Sequence, residues 1–453
     1  MPRQYITPND PDVLRETDSA SIQAAVDLAA ETGCGRVVIP RMNARSGAPL
    51  WILSETVLLP SDMTVELDNA HLRFADGVFC NMFRNRNMYT PARFTLEGEQ
   101  HDIRILGRGN AVLDGGVHNG LTEKTSNKDG YPHIYHNSFI LLHNVRDFLL
   151  EGFSMIDPRW WCVNLIYCRF GRISNLDVEA KDNYPNQDGI DLRCGCNNII
   201  IENITGQGGD DLIALTGFQG TETQHAVAGR SIDIHTVTIR NIKGTSVTKA
   251  IVALRNQDGV KLYNILIDGI VDTSADNPVN APYACLRIGQ NAYVHTLPSK
   301  PGDTYNINAQ NIHSCRNTAV LLCATVINSS FRNLFACDRA VSILSTNGGA
   351  YLYNIQVENV FVTHADGENT AGRSDRCGSH NALFNFEHIG QSKYLEGIDR
   401  AENVFIRRVF ADDLHGRPVA YIGGQAKIFF EDLHVNAPKE SWFVTENGGE
   451  ALE

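Results

Sequence analysis

The chain lacks the long hydrophobic runs of membrane proteins and of exported precursors. No stretch approaches the roughly 18 uninterrupted apolar residues of a membrane-spanning helix. The start, MPRQYITPND, lacks the basic and then apolar profile of a signal peptide. These absences predict a cytoplasmic protein without a membrane partner, although a secreted protein that had already lost its signal would begin in the same way.

Positive charge is scarce as well. The 39 Lys and Arg residues are outnumbered by 52 Asp and Glu residues, which gives a net charge of −13. The mean field of such a chain repels phosphate backbones, so we expect no nucleic-acid partner. With 43% hydrophobic and 20% charged residues, the composition is that of a folded chain.

The 11 cysteines suggest neither a disulfide framework nor a metal site. Their number is odd and they are scattered; only Cys194 and Cys196 are close, without a second cysteine pair or a histidine pair at zinc spacing. We predict free thiols that pack as small hydrophobic residues in a reducing compartment. The pattern predicts no metal and no cofactor.

Residues 18–32 form one amphipathic segment. Asp18 or Ser19 suits the N-cap of a helix there, and Gly33 suits its end. The apolar residues at helical spacing are Ile22, Ala25, Val26 and Ala29. After this segment the chain changes to short β-rich runs broken by Gly, Pro, Asn and Asp, so strands dominate the rest.

A short phrase of alternating apolar residues around Asn or Gly recurs along the chain. Phe148 and Ile173 are 25 residues apart, and Ile173 and Ile199 are 26 apart. The copies read FLLEGF, RISNLDV, NIIIENI, TVTIRNI, NILIDGI, NINAQNI, NIQVENV and NVFIRRV. Such a period without intervening helices predicts a parallel β-helix. A propeller or several β-sandwiches would need roughly 40-residue blades or regular hairpin turns, of which the sequence has few.

The ends of a stacked coil have to be covered. We expect the helix over residues 18–32 to cap the first coil and the irregular tail, residues 434–453, to cap the last. No Gly/Ser-rich or Pro-rich linker interrupts the chain. The sequence therefore predicts one all-β domain over residues 1–453.

Carboxylates cluster at two places, NYPNQDGIDL and QGGDDLIAL. Asp188 and Asp210 are 22 residues apart, close to one coil. Adjacent strands lie about 4.8 Å apart, so Asp188 is expected beside Asp210 and Asp211. Gly208 and Gly209 would permit the bend that lets Asp210 and Asp211 share a groove.

Three carboxylates in one patch favour acid–base chemistry. Like charges raise one pKa, so that one carboxyl group stays protonated while its neighbour stays ionised. This division suits glycoside hydrolysis, in which one carboxyl group protonates the leaving oxygen and another activates water or attacks the sugar. The alternative is that Asp and Asn only close turns of the coil. For Asp191 that alternative is favoured.

These motifs resemble the polygalacturonase-like glycoside hydrolases of family 28, in the pectin-lyase-like superfamily. The stretches that carry the resemblance are SIQAAVDLAAETGCGRVVIP, DPRWWCVNLIYCRFGRISNLDV, NQDGIDL and GDDLIAL. The resemblance implies a right-handed parallel β-helix and an inverting mechanism. It implies Asp210 as the general acid, Asp188 and Asp211 as the groups that hold and activate water, and Asn186 as a substrate contact.

The sequence departs from the family at two elements. Where the family carries G-H-G, this chain reads SVTKAIVAL, with Lys249 in the place of the histidine. Where the family carries R-I-K, it reads CLRIGQN, which keeps Arg287 and replaces the lysine by Gly289. We predict Lys249 and Arg287 as substrate contacts, with ion-pair partners as an equal alternative. Whether the sugar is acidic or neutral stays open.

Aromatic rings are expected to hold the substrate, because sugar rings stack their C–H faces on them. Trp161 and Tyr184 precede the carboxylates by about one coil or less, and Tyr283 lies near Arg287. His225 falls in an insertion, residues 216–230, of the kind that lines the binding face of a solenoid. We predict all four as substrate-binding residues.

The leading hypothesis is an inverting glycoside hydrolase that cleaves an oligosaccharide or glycan fragment, including a pectin-related one. Insertions over residues 216–230, 272–282, 290–304 and 363–401 could close the groove and favour exo-action. The alternatives are a lyase of the same fold, in which the aspartates bind Ca²⁺, and a carbohydrate-binding β-helix without activity. The expected partner is an oligosaccharide or polysaccharide, and the oligomeric state stays open.

Overall fold

A computed structural model describes residues 4–120, 137–180, 184, 186–217, 226–275, 282–289, 297–337, 340–346, 350–363, 380–387, 389 and 400–453. The chain divides into two compact units. Unit 1 comprises Met1–Gly209 and Thr221–Ile232, and unit 2 comprises Asp210–Gly220 and Asp233–Glu453. The single domain that the sequence predicts stays a prediction.

Unit 1 holds a helix and the first fifteen strands. They are α1 (Asp18–Glu31), β1 (Arg36–Pro40), β2 (Trp51–Leu53), β3 (Val57–Leu59), β4 (Met63–Asp68), β5 (His71–Phe74), β6 (Phe83–Asn85), β7 (Gln100–Arg108), β8 (Val112–Asp114), β9 (Ile140–His143), β10 (Val145–Glu151), β11 (Ser154–Ile156), β12 (Val163–Ile166), β13 (Arg169–Glu179), β14 (Ile190–Leu192) and β15 (Asn197–Gly208). Two short 3₁₀ turns, Arg86–Tyr89 and Pro91–Phe94, follow β6.

The strands of unit 1 pair in parallel, each with the strand one coil away. In the first sheet, β1, β4, β7, β10, β13 and β15 pair in that order. Strands β2, β5, β8 and β11 form a second row that joins the same sheet at β13. The other sheet is β3, β6, β9, β12 and β14. Each coil thus contributes strands to two sheets.

Unit 2 repeats this plan with longer strands. They are β16 (Ile213–Gly217), β17 (Ile234–Ser246), β18 (Ala250–Asn256), β19 (Leu262–Asp272), β20 (Ala284–Ile288), β21 (Thr304–Ser314), β22 (Thr318–Leu322), β23 (Thr325–Cys337), β24 (Ser342–Thr346), β25 (Tyr351–Thr363), β26 (Phe384–Phe386), β27 (Arg400–Ala411), β28 (Ala420–Gly423), β29 (Ala426–Val435), β30 (Phe443–Glu446) and β31 (Glu450–Leu452). The odd-numbered strands from β17 form one parallel sheet. The even-numbered strands form the other.

Stacked aliphatic side chains fill the space between the sheets. Ile307 of β21 lies beside Ile265 of β19, and Ile312 lies beside Ile270. All four are buried, and burial of each such side chain contributes about 1.5–3 kcal/mol. The same residue type at the same register in successive coils therefore stabilises the stack.

The asparagines of the recurring phrase mark bends in the long strands. Asn264, Asn306 and Asn311 have φ values of 53, 55 and 58 degrees, a left-handed conformation that asparagine tolerates better than most residues. The Nδ2 of Asn306 donates to Oδ1 of Asn264 at 2.6 Å, and that of Asn333 donates to Asn311 at 2.9 Å. The repeat thus encodes both the bend and a hydrogen bond between coils.

The helix ends one residue before the predicted boundary and begins with a different cap. The Oγ1 of Thr17 accepts the N–H of Ala20 at 3.1 Å, so Thr17 is the N-cap, not Asp18 or Ser19. The carboxylate of Asp18 accepts the N–H of Ile52 in β2 at 2.7 Å. The prediction of Asp18 as the N-cap was wrong because its carboxylate accepts a hydrogen bond from β2 instead of from the first turn of the helix.

Helix α1 covers the outer edge of β3. The Oε1 of Gln23 accepts the N–H of Leu58 at 2.7 Å, and its Nε2 donates to the carbonyl of Leu58 at 3.2 Å. One amide side chain thereby satisfies both backbone groups of a strand residue that has no strand on that side. This contact is the capping that the sequence predicts for the helix.

The tail differs from the prediction. Residues 434–453, expected to be irregular, contain β30 and β31, which pair with β28 and β29. Their side chains are mostly exposed, so no apolar alternation marks them in the sequence. The all-β, right-handed parallel β-helix is confirmed. In the part of the chain that the structure describes, no helix has the length and apolar character to cross a bilayer.

Candidate active site

Asp188 lies in unit 1, two residues before β14. Its carbonyl accepts the N–H of Cys162 at 2.8 Å, which aligns this segment with β12. Burial raises the pKa of the Cys162 thiol well above its usual range, and the nearby carboxylates of Asp188 and Asp191 add to the shift. Asn186 adopts φ 68 degrees, so the N-x-D element forms the turn that leads into the strand. Asp188 is 6% exposed.

The aromatic residues predicted in unit 1 have different surroundings. Trp161 is buried, and the guanidinium of Arg193 lies 4.6 Å from its ring centre. Tyr184 is half-buried and stacks on His118 with ring centres 4.1 Å apart. Tyr184 is therefore the more accessible ring. Neither His118 nor Arg193 was predicted, because only the coil register brings them to these rings.

Asp211 lies in unit 2, two residues before β16, and both of its carboxylate oxygens face protein donors. Oδ1 accepts the N–H of Ala250 at 2.9 Å. Oδ2 accepts from the guanidinium of Arg287 at 2.7 Å. The side chains of Asp211 and Arg287 are 2% and 3% exposed. We call this contact the Asp211–Arg287 ion pair.

The environment of Asp211 shifts its acidity. Burial raises the pKa of the Asp211 carboxyl above its usual range, the Arg287 guanidinium opposes that shift, and the Asp210 carboxylate adds to it. Arg255, at the end of β18, acts in the same direction as Arg287. Burial opposes the charged form of Arg287, but the acidic groups around it, Asp211 first among them, together outweigh burial and raise the pKa of its guanidinium.

Asp210 has a more open environment than its neighbour. Its side chain is 16% exposed, and its Oδ1 lies 3.7 Å from the Nζ of Lys249, whose side chain is 30% exposed. Ser246 links the two backbones, because its Oγ donates to the carbonyl of Asp210 and accepts the N–H of Lys249 at 2.8 Å. Lys249, in the place of the family histidine, is thus held beside Asp210.

Tyr283 and Gly289 surround Arg287. The guanidinium donates a hydrogen bond to the Oη of Tyr283, and it lies 5.5 Å from the centre of that ring. Tyr283 is 4% exposed, so its ring is no open platform for a sugar. Gly289 has φ 83 degrees, and a Cβ there would meet the Cβ of Ala324 at 2.3 Å.

The structure therefore brings together two sets of predicted residues. In unit 2, Asp210 lies with Lys249, and Asp211 lies with Arg287 and Tyr283. In unit 1 are Asn186, Asp188, Trp161 and Tyr184. His225 lies outside the described residues. The meeting of Asp188 with Asp210 and Asp211, and the roles of all these residues, stay predictions.

One group of side chains has the donor types of a metal site. The ligand atoms of Asp62, His101 and Asp102 lie within 4.8 Å of one another in unit 1. The Nδ1 of His101 is 3.4 Å from Asp62 and 3.2 Å from Asp102, distances that an ordinary ion pair also gives. None of the predicted site residues belongs to this group.

Comparison with sequence families agrees with the motifs. Residues 89–229 match the sequence model of glycosyl hydrolases family 28. The matched segment, about a third of the chain, contains Asp188, Asp210 and Asp211, whereas Lys249 and Arg287 lie beyond it. The resemblance to family 28 is thereby confirmed. No curated protein matches the sequence of this chain significantly.

Solved structures agree on the fold. A tailspike protein mutant of Escherichia coli bacteriophage HK620, in complex with a hexasaccharide, has a TM-score of 0.60 and 13% identity over 98% of this chain and 78% of its own. The A-module of a mannuronan C-5 epimerase from Azotobacter vinelandii has a TM-score of 0.51 and 11% identity over 99% of both chains. At such identities the likeness shows the fold alone.

A third solved structure is an exopolygalacturonase. This hyperthermoactive enzyme from Thermotoga maritima is 15% identical over 96% of this chain and 89% of its own, with a TM-score of 0.44. A TM-score this low does not support an inference about function. The support for a glycoside hydrolase therefore comes from the family 28 match over the carboxylate motifs.

Proposed function

We propose that the protein is an inverting glycoside hydrolase that cleaves an oligosaccharide or glycan fragment. Asp210 is the general acid, and Asp188 with Asp211 holds and activates the water. The observation that carries the proposal is the contrast between adjacent carboxyl groups: the side chain of Asp210 is 16% exposed, whereas that of Asp211 is 2% exposed and paired with Arg287. Pairs of carboxyl groups in contrasting environments are typical of glycosidases.

The acid must contact the glycosidic oxygen, and the accessible carboxyl group meets that requirement. Asp211 has its two oxygens fixed by the N–H of Ala250 and by Arg287. Each carboxylate oxygen can accept two hydrogen bonds, so one acceptor position on each remains for a water molecule. Inversion further requires the acid and the base to lie roughly 6.5–9.5 Å apart with that water between base and sugar.

The contacts of Asp211 do not favour the calcium-dependent lyase. A hard cation needs carboxylate oxygens that face it, whereas Oδ2 of Asp211 already faces the guanidinium of Arg287 at 2.7 Å. A Ca²⁺ ion bound to the same carboxylate would also be repelled by that guanidinium. The hydrolase needs no cation at Asp211.

Burial in unit 2 supports action on oligosaccharides at a covered site. Every residue of β20, β22 and β24 is buried, including the adjacent residues Arg287, Leu321 and Ser345 of neighbouring strands. Successive side chains of a strand point to opposite faces, so both faces of this sheet are covered. The support for exo-action is the length of the insertions between coils, which lie largely outside the described residues.

A cytoplasmic location is part of the proposal. The ten cysteines within the described residues are free thiols, and six of them are buried, which suits a reducing compartment. Imported oligosaccharides would then be the substrate. Fractionation of the source cells tests this location, and recovery of the protein outside the cytoplasm would contradict it.

The experiment that tests the hydrolase is cleavage of defined oligosaccharides followed by NMR of the released anomers. We expect the first product to have the inverted configuration. Asp210→Asn should lower kcat by about 10²–10⁴-fold, the usual contribution of a general acid. Asp268→Asn, on the other sheet of unit 2, is the matched control and should keep full activity. Retained turnover in Asp210→Asn would exclude this residue as the acid.

A further inference from the structure

We infer that the site around Asp210 and Asp211 takes an uncharged sugar, so that the substrate is a neutral glycan, not a uronate polymer. This inference rests on the proposed hydrolase and adds the chemical class of its substrate. It follows from the three positions that correspond to the G-H-G and R-I-K elements of family 28: Lys249 and Arg287 each lie beside a carboxylate of this chain, and position 289 is a glycine.

Arg287 is already neutralised. Its guanidinium donates to Asp211 at 2.7 Å and to the phenol of Tyr283, and its side chain is 3% exposed. Arg287 is buried between Asp211 and Tyr283, so the carboxylate of Asp211 already balances its charge before any substrate binds.

Position 289 has no room for a side chain. The backbone of Gly289 has φ 83 degrees, and an added Cβ would lie 2.3 Å from the Cβ and 2.8 Å from the N of Ala324. Both distances are shorter than van der Waals contact, and the two atoms of Ala324 cannot move aside, because one belongs to the backbone and the other to a one-carbon side chain. The packing around Gly289 therefore leaves no space for a lysine side chain at this position.

Lys249 faces the catalytic carboxylate. Its Nζ is 3.7 Å from Asp210, and its backbone N–H is fixed by Ser246. A uronate carboxylate bound to Lys249 would have to share that cation with Asp210, so Lys249 is no unpaired positive charge for a substrate. In unit 2, Asp210 and Asp211 thus each have a cation within 4 Å. The net charge of −13 also opposes the approach of a polyanion.

An uncharged substrate avoids these costs. A hydroxymethyl group in place of a carboxylate brings no charge into a buried site, and it can donate to Asp210 or accept from Lys249. The Asp211–Arg287 ion pair can then stay intact through binding. Lys249 consequently acts as a positioning residue for Asp210 and not as a grip on the substrate.

The test compares glycans that differ only in charge. Oligogalacturonides and their carboxyl-reduced counterparts share linkage and stereochemistry, and a wider set of neutral and acidic cell-wall oligosaccharides is assayed beside them with the full chain. We expect kcat/KM at least about tenfold higher for neutral substrates. Equal or faster cleavage of the acidic ones would overturn the inference but leave the hydrolase intact. Cleavage of none of them would contradict the hydrolase itself, and the inference with it.

A variant of Lys249 distinguishes a residue that positions Asp210 from a residue that binds a substrate carboxylate. Lys249→Gln should lower kcat and move the pH profile of kcat, while KM for the neutral substrate stays within about twofold. Lys243→Gln, in the exposed part of β17, is the matched control for loss of one positive charge. If Lys249→Gln or Arg255→Gln raises KM for acidic glycans alone, a cation grips a sugar carboxylate and the inference is wrong.

Discussion

The carboxylate of Asp211 and the guanidinium of Arg287 form a 2.7 Å ion pair between residues 76 positions apart in the sequence. Asp211 precedes β16, Arg287 belongs to β20, and β18 lies between these strands. The Arg287 side chain must therefore cross a strand whose residue at that register is Ala253. The small side chain of Ala253 leaves space for the guanidinium to reach Asp211.

Removing one partner of this pair should destabilise the protein strongly. Arg287→Met leaves the buried carboxylate of Asp211 without its cation, and we expect the free energy of unfolding to fall by about 3–5 kcal/mol. Urea titration followed by circular dichroism measures the change. The double variant Arg287→Met/Asp211→Leu should recover most of it, because it removes both charges together. A double variant no more stable than Arg287→Met would show that the ion pair is not the cause.

Replacement of Gly289 by a residue with a side chain should destabilise the protein. Gly289→Ala combines a left-handed backbone with a Cβ 2.3 Å from Ala324, and we expect a loss of about 2–5 kcal/mol in unfolding free energy. Gly259→Ala is the matched control, because Gly259 has φ 80 degrees but no atom within 4 Å of the added Cβ. The difference between the two variants measures the steric clash. Similar losses in both would contradict the lack of space at position 289.

Ionisation of Asp272 should make the stability of the protein change with pH. Burial raises the pKa of this carboxyl, against hydrogen bonds from Ser274 and Cys315. A raised native pKa gives stability that is present below the unfolded value of about 3.9 and is lost as pH rises through the native pKa. The melting temperature of Asp272→Asn relative to the unmodified protein should therefore rise between pH 4 and pH 7. A difference that stays constant with pH would contradict the raised pKa.

Asp114 serves as a control, because the pKa of its carboxyl group is shifted in the opposite direction. Its pKa is lowered although burial opposes the shift, because His71 and the N–H of Gly116 stabilise the carboxylate. That stability is present above the unfolded pKa and is lost as pH falls through the lowered native value. Asp114→Asn should therefore melt at a lower temperature than the unmodified protein at pH 7, and the deficit should shrink below about pH 4. An unchanged deficit at low pH would contradict this account.

Much of the architecture could be predicted from local patterns. The Asn-Ile phrase recurs because each coil needs an asparagine at a left-handed bend and an aliphatic residue beside its counterpart in the next coil. The helix boundary was predicted to within one residue by apolar spacing. The strands β30 and β31 could not be predicted, because they are exposed and held by backbone pairing, which leaves no pattern in side-chain polarity.

The candidate site was only partly predictable. Asp210, Asp211, Lys249 and Arg287 were all selected from motifs, but the motifs do not say which cation faces which carboxylate. The sequence left Arg287 as either a substrate contact or an ion-pair partner, and the structure places its guanidinium against Asp211 and Tyr283. Local sequence carries no record of a contact between residues two coils apart.

The sequence by itself determined the coil: its periodic aliphatic and asparagine residues specify the bends, the strands and the buried stack, since these depend on near neighbours along the chain. Only the tertiary structure decided the chemistry of the acidic residues. Burial and charge pairing depend on the register between coils, and that register places Lys249 beside Asp210, closes Arg287 onto Asp211 and leaves position 289 without space for a cation.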